Sequence, residues 1–245
     1  MARTAVVTGG SSGIGAAAVR RLLAEGFDVI AGARRLDRLR EVCDAAGARA
    51  LALDVRDRGS VEAFAAEISR CDVLVNNAGG ALGLEPLAQA DEDHWRRMWE
   101  TNVLGLMFVT RALLPLLEAS GDGHIVNIGS IAGFEVYPGG AGYTGVKHAV
   151  RAISGTLRLE LLGKPVRVTE IDPGLVETEF SAVRFDGDRE RAAKVYEGMT
   201  PLTGDDLADC IAWAVTRPKH VNIDELVVRP VAQATATQVA RGAGL

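Results

Sequence analysis

Short apolar runs alternate along the chain with stretches in which apolar side chains return every three or four positions. The runs occupy residues 3–8, 29–33, 48–53, 72–76, 124–128, 166–171 and 224–229. Being short and almost wholly apolar, they read as strands covered on both faces. Helical spacing fills the gaps. Ala18, Leu22 and Leu23 share one side of a helix over 16–25, and Leu36, Leu39 and Val42 mark another over 35–46. A longer pattern spans about 91–118 with a break expected near Pro115, and further helices run from Tyr143 to about residue 162 and from near Gly204. This alternation predicts an α/β fold: a doubly wound three-layer sandwich on a seven-stranded parallel sheet, because right-handed crossovers place helices on both faces. No repeat, low-complexity block or linker divides residues 1–245, so a single domain is expected.

The first strand runs into Thr8-Gly-Gly-Ser-Ser-Gly-Ile-Gly15 and then a helix. Glycines 9, 13 and 15 permit a tight turn and close backbone approach to a diphosphate, which the amides and positive dipole end of the helix would attract. The spacing differs from Gly-x-Gly-x-x-Gly, and glycines also cap many ordinary strand–helix turns. The second strand ends Ala31-Gly-Ala-Arg-Arg35, without the carboxylate that would bond a ribose 2′-hydroxyl. Arg34 and Arg35 instead fit the extra phosphate of NADP(H), the plainer reading being two solvated residues at a helix start.

In Tyr143-Thr-Gly-Val-Lys147 a phenol and an ammonium four positions apart share one helical face. A phenol with a pKa of about 10 is a poor acid–base group near neutrality, and a neighbouring cation favours its phenolate. By itself the pair is also an ordinary surface feature of an amphipathic helix. Ser130, thirteen residues before the tyrosine, ends the fifth strand.

Charge and cysteine usage narrow the setting. With 32 acidic and 27 basic residues the net charge is −5, which disfavours nucleic acid or an anionic membrane as partner. No apolar run approaches roughly 18 residues, so no membrane span is expected. Cys43, Cys71 and Cys210 lie far apart without metal-ligand spacing, and reduced thiols suit a cytoplasmic location. The amino-terminal residues pass straight into a strand, leaving no room for a signal peptide.

Taken together, Thr8 to Gly15, Asp54-Val55, Asn76-Asn-Ala-Gly79, Asn102, Ser130, Tyr143 with Lys147, and Pro173-Gly174 with Thr178 resemble the short-chain dehydrogenase/reductase family in its single-domain form. The resemblance covers almost the whole chain and implies a Rossmann-type sandwich. It implies that Tyr143 protonates a carbonyl oxygen, that Ser130 bonds the same oxygen, and that Lys147 holds the nicotinamide ribose. Asn102 would join a water-mediated proton path to Lys147. Cofactor contacts would come from Thr8, Gly9, Ser11, Ser12, Gly13, Ile14 and Gly15. Arg34 and Arg35 would add to these, as would Asp54 and Val55 at the adenine. Asn76, Ala78 and Gly79 would line the adenosine ribose, and Pro173, Gly174, Val176 and Thr178 would reach the nicotinamide end. A homotetramer built on the 91–118 and Tyr143 helices is the family expectation.

The segment Glu170-Ile-Asp-Pro-Gly-Leu-Val-Glu-Thr-Glu-Phe-Ser-Ala-Val-Arg-Phe185 is most similar to NADP-dependent 3-hydroxy acid (serine) dehydrogenases. That implies a small 3-hydroxy acid as substrate, with Arg184 as candidate for its carboxylate and a lid at about 175–200. Reduction of an aldehyde, ketone or 3-oxoacyl group is the rival activity, and a non-catalytic NADP(H) sensor is the rival of another class. Gly145-Val146 departs from the Ala-Ser often found before the family's lysine. A mid-helix glycine costs on the order of 1 kcal/mol against alanine, unless it admits a close neighbour. Whether the small, polar tail from residue 232 is disordered or wraps a neighbouring subunit is left open.

Overall fold

The computed structural model describes residues 2–242. Its strands are β1 (Thr4–Thr8), β2 (Asp28–Ala33), β3 (Arg49–Ala52), β4 (Val73–Asn76), β5 (Gly123–Ile128), β6 (Val166–Pro173) and β7 (Glu225–Val228). They form one seven-stranded parallel sheet in the order β3-β2-β1-β4-β5-β6-β7. The apolar runs make such strands because each must be covered twice: Ala5, Val6 and Val7 of β1 are all fully buried. Alternate residues then feed opposite cores.

Val7, Val75 and Ile171 point into a core with Val19 and Leu22 of α1 (Gly13–Ala24), Leu39 of α2 (Leu36–Ala46), and Leu207 and Ile211 of α9 (Gly204–Val215). Val6, Leu74 and Ile125 point the other way, against Val61 and Phe64 of α3 (Arg58–Ala66) and Val109, Leu113 and Leu117 of α5 (Gly105–Ala119). Leu161, just past α6 (Ala141–Glu160), joins that second core. Each fully buried Leu or Val of this kind is stabilising by roughly 1.5–3 kcal/mol, and the two-sided core holds the strand ends rigid beneath the site.

Several expectations need correction. The long helix does not break near Pro115, which lies inside α5. Its irregularity is one π-helical turn at Glu100–Leu104, joining α4 (Glu92–Trp99) to α5 and carrying Asn102. The continuous Glu92–Ala119 stretch is also long and apolar enough to match a membrane span. Its apolar side is instead spent on the sheet, where Val109, Leu113 and Leu117 are buried. Helix α3 was not anticipated from the sequence, although Asp57 caps it by accepting from the Gly59 and Ser60 amides.

The segment expected to be a lid contains two short helices, α7 (Phe180–Arg184) and α8 (Arg189–Lys194). They are tied down by the Tyr196 hydroxyl, which contacts Ser181 Oγ at 2.7 Å and donates to Val176 O at 2.9 Å. The tail folds back on its own chain as far as Gly242, whose amide donates to Gly198 O. Its last three residues lie outside the described region.

Candidate active site

The strand order reverses between β1 and β4, and in open α/β sheets ligands bind in the crevice at such a switch point, beyond the carboxyl ends of the strands. A cavity of about 680 Å³ opens there. Gly9, Ser11, Ser12, Gly13, Ile14, Arg34 and Arg35 line it from the β1 and β2 ends, and Asp54, Val55, Ala78 and Gly79 from the loops beside them. Ser130, Tyr143, Lys147, Pro173, Gly174, Val176 and Arg184 also line it, and Thr178 stands against the glycine turn, 3.1 Å from where Gly13 would carry a Cβ.

Backbone geometry explains the glycine turn. Gly9 (φ +70°) and Gly13 (φ +53°) adopt left-handed conformations that favour glycine. Ser12 precedes α1 without a side-chain cap, so the first amides of the helix stay available to an anion. Two expected contacts lie elsewhere. A Cβ on Gly15 would sit 2.3 Å from Gly9 O, so Gly15 permits the close approach of turn and helix rather than lining the cavity. Thr8 is buried, and its Oγ1 accepts from the Asn77 and Ala78 amides at 3.0 Å, tying the β4 loop to β1.

Asn76 is a third correction. Its Nδ2 donates to Thr110 Oγ1 and Asn127 Oδ1, both at 2.9 Å, inside the core, and it is Asn77 that faces the cavity. Asn102 has a structural part of its own. Its Nδ2 donates to the Gly80 and Met98 carbonyls at 2.9 Å and its Oδ1 accepts from Gly80 N at 3.3 Å. The side chain therefore clamps the loop after β4.

At the β2 end, Arg35 Nη2 donates to Ser12 Oγ at 2.9 Å, to Ser11 Oγ at 3.4 Å and to Glu179 Oε2 at 3.0 Å. Arg38, one turn further along α2, holds the other oxygen of Glu179. Partial burial works against the Glu179 carboxylate, but its bonds to Arg38 and Arg35 keep it below the usual carboxylate range. A carboxylate thus already occupies the kind of cradle a phosphate monoester needs: two guanidiniums, two hydroxyls and, nearby, the free start of α1. These residues fit the 2′-phosphate of NADP(H). Arg38 and Glu179 were not anticipated from the sequence. Asp54 is held low chiefly by its bonds to Arg56, which leaves Arg34 without a hydrogen-bonded carboxylate.

The catalytic end is built on β5 and α6. Lys147 is 6% exposed, and its Nζ donates to Ile128 O at 2.8 Å, 5.9 Å from the centre of the Tyr143 ring. Burial pulls its pKa down to about 8, against the attraction of Glu170 and Asp172. Burial also pushes the Tyr143 phenol well above its ordinary value, with Tyr137 adding to the rise, while Ser130 and Arg184 favour the phenolate. These surroundings keep Tyr143 a phenol at neutral pH, the form a proton donor needs. Ser130 donates its amide to Asp172 Oδ1 at 2.8 Å. Phe180 of α7 packs edge-on against Tyr143 at 5.5 Å.

Arg184 stands over the same ring at 5.8 Å, its Nε donating to Gly83 O at 3.0 Å. Its Nη2 is buried and has no hydrogen-bond partner among the described residues. From the tail, Gln233, Ala236 and Thr237 also line the cavity, and Gln233 Oε1 accepts from Leu175 N at 2.8 Å. No sequence signal pointed to them, since only the fold brings the tail here.

A family model described as short chain dehydrogenase matches residues 3–189. The chain belongs to the short chain dehydrogenase family. Within it, an uncharacterised oxidoreductase of Mycobacterium tuberculosis is 60% identical over 236 residues, covering 96% of this chain and 94% of that protein. The NADP-dependent 3-hydroxy acid dehydrogenase of Escherichia coli strain K12 is 45% identical over 238 residues, covering 94% and 96%. A closed form of serine dehydrogenase complexed with NADP+ superimposes with a TM-score of 0.93 at 43% identity, covering 97% of this chain and 99% of that one. The expected family, seven-stranded sheet and doubly wound order are all borne out.

Proposed function

We propose that this member of the family is an NADP(H)-dependent oxidoreductase that interconverts a carbonyl and an alcohol, with a small 3-hydroxy acid as its substrate. The observation that carries the reading is one cavity with a phosphate cradle at Arg35 and the Ser130, Tyr143 and Lys147 cluster at its far end.

Bound NADPH supplies a hydride to the carbonyl carbon. Arg35, Ser11, Ser12 and the start of α1 would hold the cofactor's phosphates, and Lys147 would bond a ribose hydroxyl. Ser130 Oγ and the Tyr143 hydroxyl grip the substrate oxygen, and Tyr143 passes its proton to that oxygen as negative charge develops. Lys147 stabilises the phenolate left behind, and for alcohol oxidation the same groups act in reverse.

The acid is argued from Arg184. Its unpartnered Nη2 is buried beside Tyr143, and a substrate carboxylate would satisfy it. The names of the Escherichia coli relative and the serine dehydrogenase support that choice. NADP+ reduction with a panel of 3-hydroxy acids and neutral alcohols tests it. A charge-assisted bond is worth about 1.5–3 kcal/mol, so Arg184→Ala is expected to raise KM for the acids by roughly ten- to a hundredfold. Neutral alcohols should be affected far less. An unchanged KM for the acids would remove them from the proposal and leave the oxidoreductase standing.

A cytoplasmic homotetramer is part of the same proposal. Trp99, Met107 and Leu159 are exposed on the α4–α5 and α6 segments and Leu162 just past α6, which gives an assembly apolar surface to cover, and light scattering would give the mass. Burial pushes the Cys71 thiol up to about 12, and unreactive free thiols suit a reducing compartment.

A further inference from the structure

Beneath the catalytic end lie two acids that the mechanism above does not use. Glu170 and Asp172 are two positions apart on β6 and so project from the same face of the strand, toward α6. Glu170 is 1% exposed and Asp172 not at all. Neither has an ion-pair partner within 4 Å among the described residues. Each keeps one buried oxygen, Glu170 Oε1 and Asp172 Oδ2, without a conventional donor.

The two carboxyls converge beside the Gly129 backbone within reach of each other, while the Ser154 hydroxyl of α6 is committed to Val150 O at 3.0 Å. Two carboxylates in such contact cannot both ionise without a large penalty, whereas one proton held between them satisfies both spare oxygens. Burial raises both groups above their ordinary values; Glu170 raises Asp172 further, to about 8, whereas the bond from Asp172 favours the ionised form of Glu170, so the shared proton rests chiefly on Asp172.

The charged surroundings are few. From α6 the pair faces Lys147, with Tyr143 nearby. From β7 it faces Glu225, which is occupied by Arg151 at 2.9 Å. Lys147 is a buried cation whose hydrogen bond goes to a neutral carbonyl, Ile128 O. Such a group needs opposite charge close by to stay ionised. The acids supply it across the end of β5. A Cβ on Gly129 would lie 2.0 Å from Asp172 Oδ1 and 2.6 Å from Glu170 Oε1, so both carboxyls press on the backbone between Ile128 and Ser130.

We propose that Glu170 and Asp172 share one proton and carry a single negative charge between them, which is the buried counter-ion that keeps Lys147 cationic. They are positioning residues, since neither lines the cavity, and Asp172 also fixes the amide of Ser130. This rests on the reading of Tyr143 and Lys147 as the proton-handling pair.

The test counts charge. Asp172→Asn keeps an oxygen for the Ser130 amide, and Glu170→Gln keeps the size of the other partner. Either single variant leaves one acid, free to ionise beside Lys147. Each is therefore expected to lose the infrared C=O stretch of a protonated carboxyl seen in the wild type at neutral pH, with little change in Lys147. The double variant has no negative charge left, and there Lys147 should lose its proton about one pH unit or more lower.

The chain has four lysines, so selective ¹³C labelling at Cε resolves Lys147 in an NMR titration that needs no turnover. A folded double variant with an unmoved Lys147 titration overturns the proposal. So does a wild-type spectrum without the protonated-carboxyl band, which decides the matter if the double variant does not fold. If no carbonyl compound is turned over, the proposed function fails, and the infrared and NMR readings still judge the pair. A purely structural role would lower stability in all variants without moving Lys147.

Discussion

Tyr143 and Lys147 are made useful by burial as much as by their spacing. Burial holds the phenol protonated and lowers the ammonium to about 8, so the pair offers a proton donor with a cation beside the phenolate that proton transfer would leave. Tyr143→Phe keeps the ring that packs on Phe180 and removes the proton. Turnover is expected to fall roughly 10²- to 10⁴-fold while NADPH binding, followed by fluorescence, stays within about twofold. At this scale the sequence was legible where a side chain acts on a ligand and misleading where the same residue type serves the scaffold. Thr8 and Asn76 sit in motif positions, yet the Thr8 hydroxyl is taken up by Asn77 and the Asn76 amide by Thr110. Nothing in a one-dimensional pattern distinguishes an asparagine facing a cavity from one facing a neighbouring strand. Glu179 was invisible for the opposite reason, since its partners Arg35 and Arg38 lie more than a hundred residues away.

Among the elements, α6 shows how little a departure from a familiar motif can mean. Gly145 is exposed, and a Cβ added there meets nothing within 4 Å, so the close neighbour that would excuse a helix glycine is absent among the described residues. Gly145→Ala should stabilise by on the order of 1 kcal/mol, a rise of about 2–4 °C in Tm by calorimetry, with kcat unchanged. A lower Tm would mean that the position packs against something outside this chain. Helices with a plain apolar stripe were legible, as α1 and α2 were. The π-turn at Glu100–Leu104 was not, because the apolar pattern runs through it uninterrupted and only the clamp of Asn102 on Gly80 marks the place.

The whole molecule adds a pH response that no single motif carries. His124 of β5 is fully buried, with Nε2 2.8 Å from Thr169 Oγ1, and burial together with Arg167 and Arg3 pulls its pKa down to about 3. In the unfolded chain an ordinary histidine titrates near 6.5. The folded value is depressed, so the group's contribution to stability is complete above about 6.5 and is lost as pH falls toward 3. The slope approaches about 1.4 kcal/mol per pH unit within that window. Urea unfolding of His124→Gln should lack this part of the slope, and an identical slope in both proteins would rule the histidine out as its source. The bond from Glu179 to Arg35 and Arg38, which joins the turn before α7 to the start of α2, has a consequence for redesign. An engineer seeking an NAD(H)-preferring enzyme would place aspartate at position 35, and would thereby set two carboxylates face to face across the cavity mouth. Arg35→Asp alone should fail, and Arg35→Asp with Glu179→Gln should recover NAD(H) turnover beyond the sum of the two single effects. Cofactor preference here is a property of two distant positions that have to change together.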